Sequence, residues 1–518
     1  MTGRGRRIRI TPLAAAVRSA VIPGWGQLVE GRGRVAVWMF RVVVVVLTAV
    51  AAAAVVGPSQ LARWLVDPQV LLGLLVLNVA LALFRLFAVW DAWQGAGGVA
   101  RSGILFALLL FVAVPHVAVG WGQLRTYTVL TSVFGGDDAD RVAAVGGTPA
   151  TGAVEPSAPG GSEGTEPTPS TVTTLPTTTT TTVPWEGRER LNVLLLGGDA
   201  GPGRRGIRTD TMILVSIDLT DGDVALFGFP RNLKRLSFPD GSEFTAYSGI
   251  LNEVYAFGLD RPDLFPGSNP GATAIRTMIE GLSGIEIDYY VLVNLQAFVD
   301  VVDALGGVTM YIPETVVDPT YPKEDGTTVS IRIEAGVQHL SGTEALAYVR
   351  SRRQSSDYNR MGRQRCFLTA LAAQVDVPSL LRGLPALLRT VEENVLTDIP
   401  IELLPDLIEL AGDVDATDAL VVGFGPPDWI AGRTSDRYPI PDVDKIREAV
   451  QLAITDPEAA RIEYGLTAAA EACGFGEDPT TPPETTSTTS TTSTTSTTST
   501  TAAGSTTTTP SSTTTTGG

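Results

Sequence analysis

Histidine and cysteine are scarce in this sequence, with two residues of each among 518. His116 lies in a long apolar run, so His339 is the only histidine outside it. Neither a zinc site of several histidines nor a Ser-His-Asp triad can therefore be assembled. No Walker A pattern occurs, and the glycines of residues 197–201 lack the spacing of a dinucleotide-binding loop. These absences exclude most histidine-based and nucleotide-dependent chemistry.

Lysine is also rare, and Lys234, Lys323 and Lys445 are the only three among 38 basic residues. Charge is distributed unevenly along the chain. Residues 1–34 contain seven arginines and a single acid, Glu30, whereas the acidic excess behind the net charge of -17 lies beyond residue 135. The acidic carboxy-terminal part disfavours nucleic-acid binding. The contrast between the two ends is typical of a membrane protein.

Three apolar stretches, at 35–56, 70–90 and 103–124, are long enough for membrane spans. Each has the roughly 20 residues that a helix needs to cross a bilayer core of about 30 Å. The arginine-rich amino terminus is expected to stay in the cytoplasm, so an odd number of spans places everything after residue 125 outside. The spans carry few ionisable groups, which favours a membrane anchor over a transport role.

Two low-complexity segments flank a globular block. Residues 125–186 are rich in Gly, Thr and Pro, and residues 475–518 are mostly Ser and Thr. Neither can bury enough apolar area to offset chain entropy, so we expect both to be disordered. The block 187–474 is predicted to be an α/β domain with a mixed β-sheet flanked by helices. Its β-rich runs lie at 191–196, 212–217, 224–229, 289–293, 308–312, 329–333 and 346–350, and its helical patterns at 271–282, 295–305 and 360–375.

The segment 208–232 brings an acid and an arginine together. Asp221-Gly222 is a strong two-residue turn signal between two apolar β-rich runs. Folding back about that turn places Asp210 beside Arg231 to within about one residue of register. Taken alone, these two residues are more simply interpreted as a cross-strand ion pair worth a fraction of a kcal/mol.

A second carboxylate, Asp199, is expected near the first. It follows the uninterrupted apolar run 192–196, which is typical of a strand buried on both faces, and the two glycines after it.

Arginines cluster in residues 345–367. Arg350 and Arg352 are two apart at a predicted strand end, so both side chains leave the same face. Arg360 and Gln364 continue the apolar stripe of the following helix, so we expect them to face inwards. The helix amino terminus adds partial positive charge there, which favours a buried anion site over an ordinary surface cluster. Asp357 lies in the loop before this helix, and the arginines expected to face solvent are Arg353, Arg363 and Arg365.

This combination suits a metal pyrophosphate. Arginine donates two hydrogen bonds to a phosphate from one planar fork and never loses its charge. Carboxylates among such arginines are explained by a cation, since Mg²⁺ is held by one or two carboxylates together with substrate phosphates.

The motifs that contain these residues resemble the LytR-CpsA-Psr cell-wall proteins. The matching blocks are NVLLLGGD, RTDTMILVSID, FPRN, LNEVYAFG, VDALGGV, GVQHLSGTEALAYVRSR and DYNRMGRQ, in that order across about residues 190–375. The resemblance implies a phosphotransferase of the bacterial cell envelope, held in the plasma membrane with its carboxy-terminal domain outside. Such a protein would move a glycopolymer from a polyprenyl-pyrophosphate carrier to a hydroxyl of peptidoglycan or a related wall sugar.

The resemblance also implies roles for the residues at matching positions. Asp199 and Asp210 would hold the divalent metal, Mg²⁺ or Mn²⁺. Asp357 would orient the arginines or help to deprotonate the acceptor, and it would act in catalysis with Arg231 and Arg360. The residues around the pyrophosphate would be Arg208, Arg231, Arg350, Arg352, Arg360 and Gln364.

Two positions depart from the family pattern. Asn232 follows the Pro-Arg pair where the family commonly has Asp, and Ile250 stands where a Lys is common. Three spans, and the segment 23–32 (PGWGQLVEGR) before the first of them, are further differences. Two other functions stay open: a regulatory module that binds lipid pyrophosphate without turnover, and a pyrophosphatase that releases the lipid-linked polymer to water.

Both cysteines, Cys366 and Cys473, fall in the block expected outside the membrane. An even pair in an oxidising compartment usually forms a disulfide. We expect this bond to tie the Arg360 helix to the carboxy-terminal end of the domain. Two buried thiols are the alternative, because Cys366 also lies in a helical core pattern.

Overall fold

The computed structural model describes residues 10–55, 58–99, 102–134, 188–199, 207–239, 242, 246–323, 327–352, 356–375, 377–475 and 479–481. All of them belong to one compact unit, Met1–Pro483. Most of the predicted low-complexity linker, from residue 135 to 186, and the tail beyond residue 481 lie outside the described residues.

The helices are α1 (Pro12–Val21), α2 (Trp25–Val29), α3 (Gly33–Val55), α4 (Pro58–Val66), α5 (Pro68–Gly95), α6 (Gly103–Val133), α7 (Val254–Asp260), α8 (Pro270–Ser283), α9 (Leu295–Ala304), α10 (Gly342–Arg350), α11 (Asp357–Gln374), α12 (Val377–Asn394), α13 (Leu404–Asp413), α14 (Val443–Thr455), α15 (Pro457–Tyr464) and α16 (Ala469–Cys473). Two 3₁₀ turns lie at Leu251–Glu253 and Ile401–Leu403.

The strands are β1 (Arg190–Gly198), β2 (Thr209–Asp218), β3 (Val224–Gly228), β4 (Lys234–Ser237), β5 (Ala246–Ile250), β6 (Tyr289–Val293), β7 (Val308–Ile312), β8 (Val316–Pro322), β9 (Thr328–Ile333), β10 (Gly336–Leu340), β11 (Val395–Thr397), β12 (Leu420–Gly423), β13 (Ile430–Arg433), β14 (Pro439–Pro441) and β15 (Thr467–Ala468).

Three helices of the amino-terminal part are long and apolar enough to cross a membrane: the Gly33–Ala52 part of α3, α5 and α6. The third predicted span was drawn to end at residue 124, but α6 continues to Val133. This extension buries Val129 and Leu130. Leu130 packs with Leu71 of α5 and with Ile401 of the carboxy-terminal domain, so the end of α6 belongs to an interface that the composition of residues 125–133 does not reveal.

A seven-stranded sheet forms the centre of the carboxy-terminal domain, with the order β11-β6-β1-β2-β3-β12-β15. β2 runs antiparallel to both β1 and β3, whereas β1 pairs with β6 and β3 pairs with β12 in parallel. The sheet is therefore mixed, and the predicted α/β class is confirmed. Alternate residues of β1 face opposite sides, as strand geometry requires: Leu194 and Leu196 enter the largest core cluster, which also contains residues of α8 and α14.

Two local predictions were wrong. Residues 346–350 were predicted as a strand, but they form the second half of α10. This helix begins with a capping box in which Ser341 accepts from the backbone N–H of Glu344 and the Glu344 carboxylate accepts from that of Ser341. A Ser followed three residues later by Glu is a helix-start signal that outweighs a short β-rich run. Second, Asp221-Gly222 lies in a five-residue connection, 219–223, rather than in a two-residue turn.

Candidate active site

The β2–β3 hairpin determines the centre of the site. Ile213 lies opposite Gly228, and the same register continued by three residues places Asp210 opposite Arg231. Beyond the last paired residues the two side chains meet, and Arg231 Nη1 donates to Asp210 Oδ1 over 2.7 Å. The two groups thus lie at one edge of the sheet, at the exit of β3.

Asp210 receives hydrogen bonds from three different elements. Besides Arg231, the buried Asn252 donates its Nδ2 to Oδ1 over 3.0 Å, and both Nη atoms of Arg360 donate to the Asp210 carbonyl over 3.2 Å. Burial alone would raise the pKa of Asp210. The charge and hydrogen bond of Arg231, the bond from Asn252 and the charge of Arg360 outweigh that effect, so its pKa is lowered.

Asp357 lies among three arginines at the first turn of α11. Its Oδ1 accepts from Arg360 Nε over 3.2 Å, and its Oδ2 accepts from Arg231 Nε over 3.3 Å. Arg352 Nη1 is 3.9 Å from Oδ1. Ser356 caps the helix by accepting from the backbone N–H of Asn359, which fixes the first turn. Because both carboxylate oxygens already accept from guanidinium groups, this geometry fits a residue that orients arginines better than a general base.

Arg360 and Gln364 are the buried members of the arginine-rich helix, with 3% and 7% of their surfaces exposed. Burial is the main cause of the lowered pKa of Arg360, yet arginine stays charged in proteins. Gln364 Nε2 donates to the Val349 carbonyl over 3.3 Å. Both residues lie on the stripe that also carries the buried Phe367.

Arg350 is the last residue of α10 and Arg352 follows two residues later, so neither lies at a strand end as predicted. The Arg350 guanidinium lies 5.9 Å from the ring centre of Tyr321, and its Nη1 is 3.5 Å from the Tyr321 hydroxyl. The Arg352 side chain is 55% exposed. A helix end that leads into an extended residue, Ser351, thus sends both arginines towards the opening beside Asp357.

Arg208 is placed differently from the other predicted pyrophosphate ligands. Its side chain is exposed, whereas its backbone pairs with Asp199: the Arg208 N–H donates to Asp199 Oδ1 and the Asp199 N–H donates to the Arg208 carbonyl, each over 3.0 Å. The backbone of Arg208 therefore positions Asp199. Among the described residues, the cavity walls include Asp199 but not Arg208.

A cavity of about 720 Å³ opens beside these charged groups. Its polar end is formed by Asp199, Asp210, Arg350, Arg352, Arg360 and Gln364. The rest of the wall is mostly apolar and comes from β1, β2, β6, α9, α10 and α11, for example Leu195, Val291, Phe298, Leu346 and Leu371. The cavity can therefore hold a long apolar chain whose charged head lies against the arginines.

The donor atoms at the polar end fit a hard divalent cation. No cluster of three His, Cys, Asp or Glu side chains suited to a metal occurs within the described part of the chain, and the described cavity wall brings two carboxylates, Asp199 and Asp210, to its polar end. That is the usual provision for Mg²⁺, which completes its shell with phosphate and water. Asp210 Oδ2 accepts no hydrogen bond from any described residue, and the buried Asn252 Oδ1 has no partner among them either. Asp210 Oδ2, on a side chain that is 31% exposed, is available to a cation or to its waters.

The expectation that Arg363 and Arg365 face solvent was wrong. Arg363 donates to the carbonyls of Tyr348 and Ser351 and so links α11 to the end of α10. The Arg365 guanidinium lies against the paired glycines Gly228 and Gly423, where any Cβ would come within 3 Å of it. Burial lowers the pKa of Arg365 to about 10. Arg353 lies outside the described residues.

Sequence reasoning missed Asn252 and Tyr321 as site residues. Asn252 reaches Asp210 from a 3₁₀ turn 42 residues away, and Tyr321 reaches Arg350 from β8. Tyr321 stands in no local pattern that marks a site. Asn252 lies in the block LNEVYAFG, but the local feature there is an Asn at the start of a helical segment, which is more often a cap.

The structure joins Cys366 of α11 to Cys473 of α16 in a disulfide across 107 residues of sequence. Cys473 and Phe475 lie in a core cluster with Phe367 and Tyr348. The bond therefore ties the helix that carries Arg360 and Gln364 to the last helix of the domain.

Comparison with known proteins gives consistent matches to this domain. The family model described as the LytR_cpsA_psr family matches residues 162–421, which is 260 of 518 residues. Polyisoprenyl-teichoic acid–peptidoglycan teichoic acid transferase TagU of Halalkalibacterium halodurans is 29% identical over 217 residues, 42% of this chain and 63% of that protein. Biofilm regulatory protein A of Streptococcus mutans is 27% identical over 217 residues, 40% of this chain and 50% of that protein.

The chain thus spans between half and about two thirds of the length of these curated relatives. Among solved structures, B. subtilis TagV is 23% identical, with 51% of this chain and 96% of that chain covered and a TM-score of 0.39.

Proposed function

The chain belongs to the LytR_cpsA_psr family, and from that premise we propose that it is a membrane-anchored phosphotransferase. Its donor is a glycopolymer on a polyprenyl-pyrophosphate carrier, and its acceptor is a hydroxyl of peptidoglycan or a related wall sugar. The name of the TagU relative, a teichoic acid transferase acting between a polyisoprenyl carrier and peptidoglycan, supports this class of substrate.

The observation that carries the proposal is the division of the cavity into an apolar part and a cationic end. Apolar burial stabilises a chain by about 25 cal/mol per Å², which suits a polyprenyl tail. A diphosphate head then meets Arg350, Arg352 and Arg360, and guanidinium groups recognise phosphate oxygens by bidentate donation. A free sugar or a nucleotide has no long apolar chain to bury against the apolar part of the wall.

In the reaction, the acceptor hydroxyl oxygen attacks the phosphorus that carries the glycopolymer. The bond from that phosphorus to the bridging oxygen breaks, polyprenyl phosphate leaves, and the hydroxyl proton is released to solvent. Arg231 and Arg360 offset the charge that builds up on the equatorial and leaving oxygens. Asp357 holds both guanidinium groups in place. When bound, a Mg²⁺ or Mn²⁺ ion held by Asp199 and Asp210 supplies further charge neutralisation.

The proposal includes a topology. The amino terminus lies in the cytoplasm and the domain after α6 lies outside, because the arginine-rich end stays inside and three spans separate the two. Protease added to intact protoplasts is expected to remove the carboxy-terminal domain and to spare the amino terminus. Cleavage of the amino terminus alone would reverse the assignment.

Product analysis tests the function. The purified full chain in proteoliposomes is given a lipid-pyrophosphate glycan, Mg²⁺ and a peptidoglycan oligosaccharide. We expect an acceptor–phosphate–glycan conjugate and an equal amount of polyprenyl phosphate. Glycan phosphate without conjugate would identify a pyrophosphatase, and retention of intact donor would identify a binding module. Either result overturns the proposal.

A further inference from the structure

The segment 23–32, just before the first span, has no part in the proposed reaction. In the structure it forms the turn and second arm of a helical hairpin whose first arm is α1. Gly24 has a φ of +101°, a conformation that favours glycine. Gly26 lies so close to α1 that a Cβ would come 2.3 Å from the Ala15 carbonyl oxygen. We call residues 12–29 the amino-terminal hairpin.

A buried polar network fastens this hairpin to α5. Gln27 is fully buried; its Oε1 accepts from Ser19 Oγ over 2.7 Å, and its Nε2 donates to the Ala88 carbonyl over 2.8 Å. Arg32 then forms two 2.8 Å hydrogen bonds to the carboxylate of Asp91. These bonds join α1, α2 and the residue before α3 to the last two turns of α5, so the hairpin is fixed to this membrane-length helix.

Arg85 shows how deep the hairpin reaches. Its Nη2 donates to the Ala20 carbonyl over 2.8 Å. Ala20 lies in the last turn of α1, where carbonyls have no partner within the helix, and the negative end of the helix dipole suits a cation. Arg85 lies ten residues before Gly95, the end of α5, which corresponds to about 15 Å along the helix axis. The end of α1 therefore lies well inside the span.

The length of α2 is close to the distance along α5 that the returning chain must cover. Asp91, which binds Arg32, is six residues or about 9 Å nearer the end of α5 than Arg85. The five residues of α2 rise about 7.5 Å. The chain thus enters along α1, turns at Ile22–Gly24 and comes back to the level of Asp91 within α2 and the residues that follow it.

The outer face of the hairpin is apolar and uncovered. α1 packs through Ala15, Ala16, Ser19 and Ala20, and the opposite side carries exposed large apolar residues. Val21 is 64% exposed, and its uncovered neighbours are Leu13, Val17, Ile22, Trp25, Leu28 and Val29. The membrane-length helices α3, α5 and α6 carry large exposed apolar residues of the same kind, such as Val44, Val76 and Phe111.

From these observations we propose that the amino-terminal hairpin is a re-entrant element of the cytoplasmic leaflet whose exposed face contacts lipid acyl chains. If this face were in water, a row of large apolar side chains would be hydrated. Acyl chains remove these side chains from water, and the helical backbone satisfies its own hydrogen bonds there. The hairpin also supplies the acceptor that an arginine inside a span requires. This assignment does not depend on transfer activity.

Thiol accessibility tests the proposal on the full chain. Cys366 and Cys473 are bonded to each other, so an introduced cysteine is the only free thiol. Val21→Cys probes the hairpin face. Val99→Cys is the matched control, because Val99 is a similarly exposed valine, 71% against 64%, in the connection between α5 and α6. Inverted membrane vesicles are treated with a membrane-impermeant maleimide, and the labelling rates of the two variants are compared.

We expect Val21→Cys to react at least tenfold more slowly than Val99→Cys in intact vesicles and equally fast after denaturation in detergent. A polarity-sensitive fluorophore attached to the thiol of the Val21→Cys variant is also expected to be quenched by lipids that carry nitroxides on their acyl chains. Equal labelling rates in intact vesicles would overturn the proposal and place the face in water. A rise of the Val21→Cys rate to the control rate after salt-stripping of the vesicles would overturn it too, in favour of a cytoplasmic protein partner. Val17→Cys repeats the test if Val21→Cys does not fold.

Discussion

At the residue scale, the pairing of Asp210 with Arg231 could be predicted from the sequence because strand register is a local property. Two apolar runs and the turn between them determine which residues lie opposite, even though the connection proved longer than two residues. The roles of Asn252 and Tyr321 could not be predicted in this way. Asn252 reaches Asp210 from 42 residues away, and Tyr321 reaches Arg350 from β8. The orienting position of Asp357 among three arginines likewise depends on tertiary structure.

Alanine variants separate a catalytic role from a structural ion pair. Asp210→Ala and Arg231→Ala are each expected to lower the transfer rate at least a hundredfold, the loss typical of removing a group that stabilises transition-state charge. Arg231→Lys is not expected to rescue, because a lysine cannot donate two bonds in a planar fork. Thermal melts serve as the control and should shift only slightly. Activity near the wild-type level with both variants would show that the pair is structural.

The lowered pKa of Asp210 predicts a pH effect on stability. Its folded pKa lies below its unfolded value of about 3.9, so the stabilisation is present above that value and is lost as pH falls through the folded pKa. Urea melts between pH 6 and pH 3 should therefore show a larger loss of unfolding free energy on acidification for the wild type than for Asp210→Asn. Asp436→Asn, at an exposed position, is the control. If the unfolding free energies of the wild type and Asp210→Asn fell in parallel with pH, the ionisation of Asp210 would not be the cause of the loss.

At the element scale, strands with unbroken apolar sequence and helices with a clear period were predicted from sequence, whereas α10 was not. Its last five residues resemble a strand in composition, and only the capping box at Ser341 indicates a helix. The short strands β11 to β15 were also missed, since two to four residues carry no period that could be recognised.

The disulfide between α11 and α16 predicts a measurable stabilisation. A bond that closes a loop of about 100 residues can stabilise a fold by several kcal/mol in the chain-entropy description. Cys473→Ser is expected to lower the melting temperature of the full chain by several degrees and to leave one free thiol under denaturing, non-reducing conditions. Two free thiols in the wild-type protein from its native compartment would rule the bond out.

The close packing of α1 on α2 makes Gly26 sensitive to any side chain. Gly26→Ala places a methyl group 2.3 Å from the Ala15 carbonyl oxygen and 2.6 Å from Ser19 Oγ, so the hairpin must open. We expect faster proteolysis of the amino-terminal hairpin in inverted vesicles. Gly33→Ala is the matched control, because no atom lies within 4 Å of its added Cβ. Equal proteolysis of the two variants would show that the hairpin is not packed as described.

At the scale of the whole molecule, the amino-terminal helices and the carboxy-terminal domain are in contact, which their sequences do not reveal. Arg63 of α4 pairs with Asp406 and Glu409 of α13, and Arg125 of α6 pairs with Glu392 of α12. Composition predicted the spans and the domain separately. Contacts between them join residues more than 260 positions apart, and no local pattern encodes such pairs.

Charge reversal tests this interface. Arg63→Glu is expected to raise the KM for a membrane-embedded donor severalfold and to leave the rate with a short, water-soluble donor unchanged, because only the former must enter the cavity from the bilayer. Restoration by Asp406→Arg in the same chain would show that the pair itself matters, and Arg433→Glu at an exposed position controls for net charge. The effect is modest by nature, since partly exposed ion pairs contribute about 1 kcal/mol or less.

The most direct test of the central claim is the origin of the oxygen that the phosphorus gains. Proteoliposomes with the full chain, Mg²⁺, a lipid-pyrophosphate glycan and a wall oligosaccharide are incubated in water enriched in oxygen-18, and the phosphorylated products are weighed by mass spectrometry. Transfer to a sugar hydroxyl predicts a conjugate whose phosphodiester contains no oxygen-18, and this product should disappear with Arg231→Ala. Oxygen-18 in a released glycan phosphate, without any conjugate, would contradict the account.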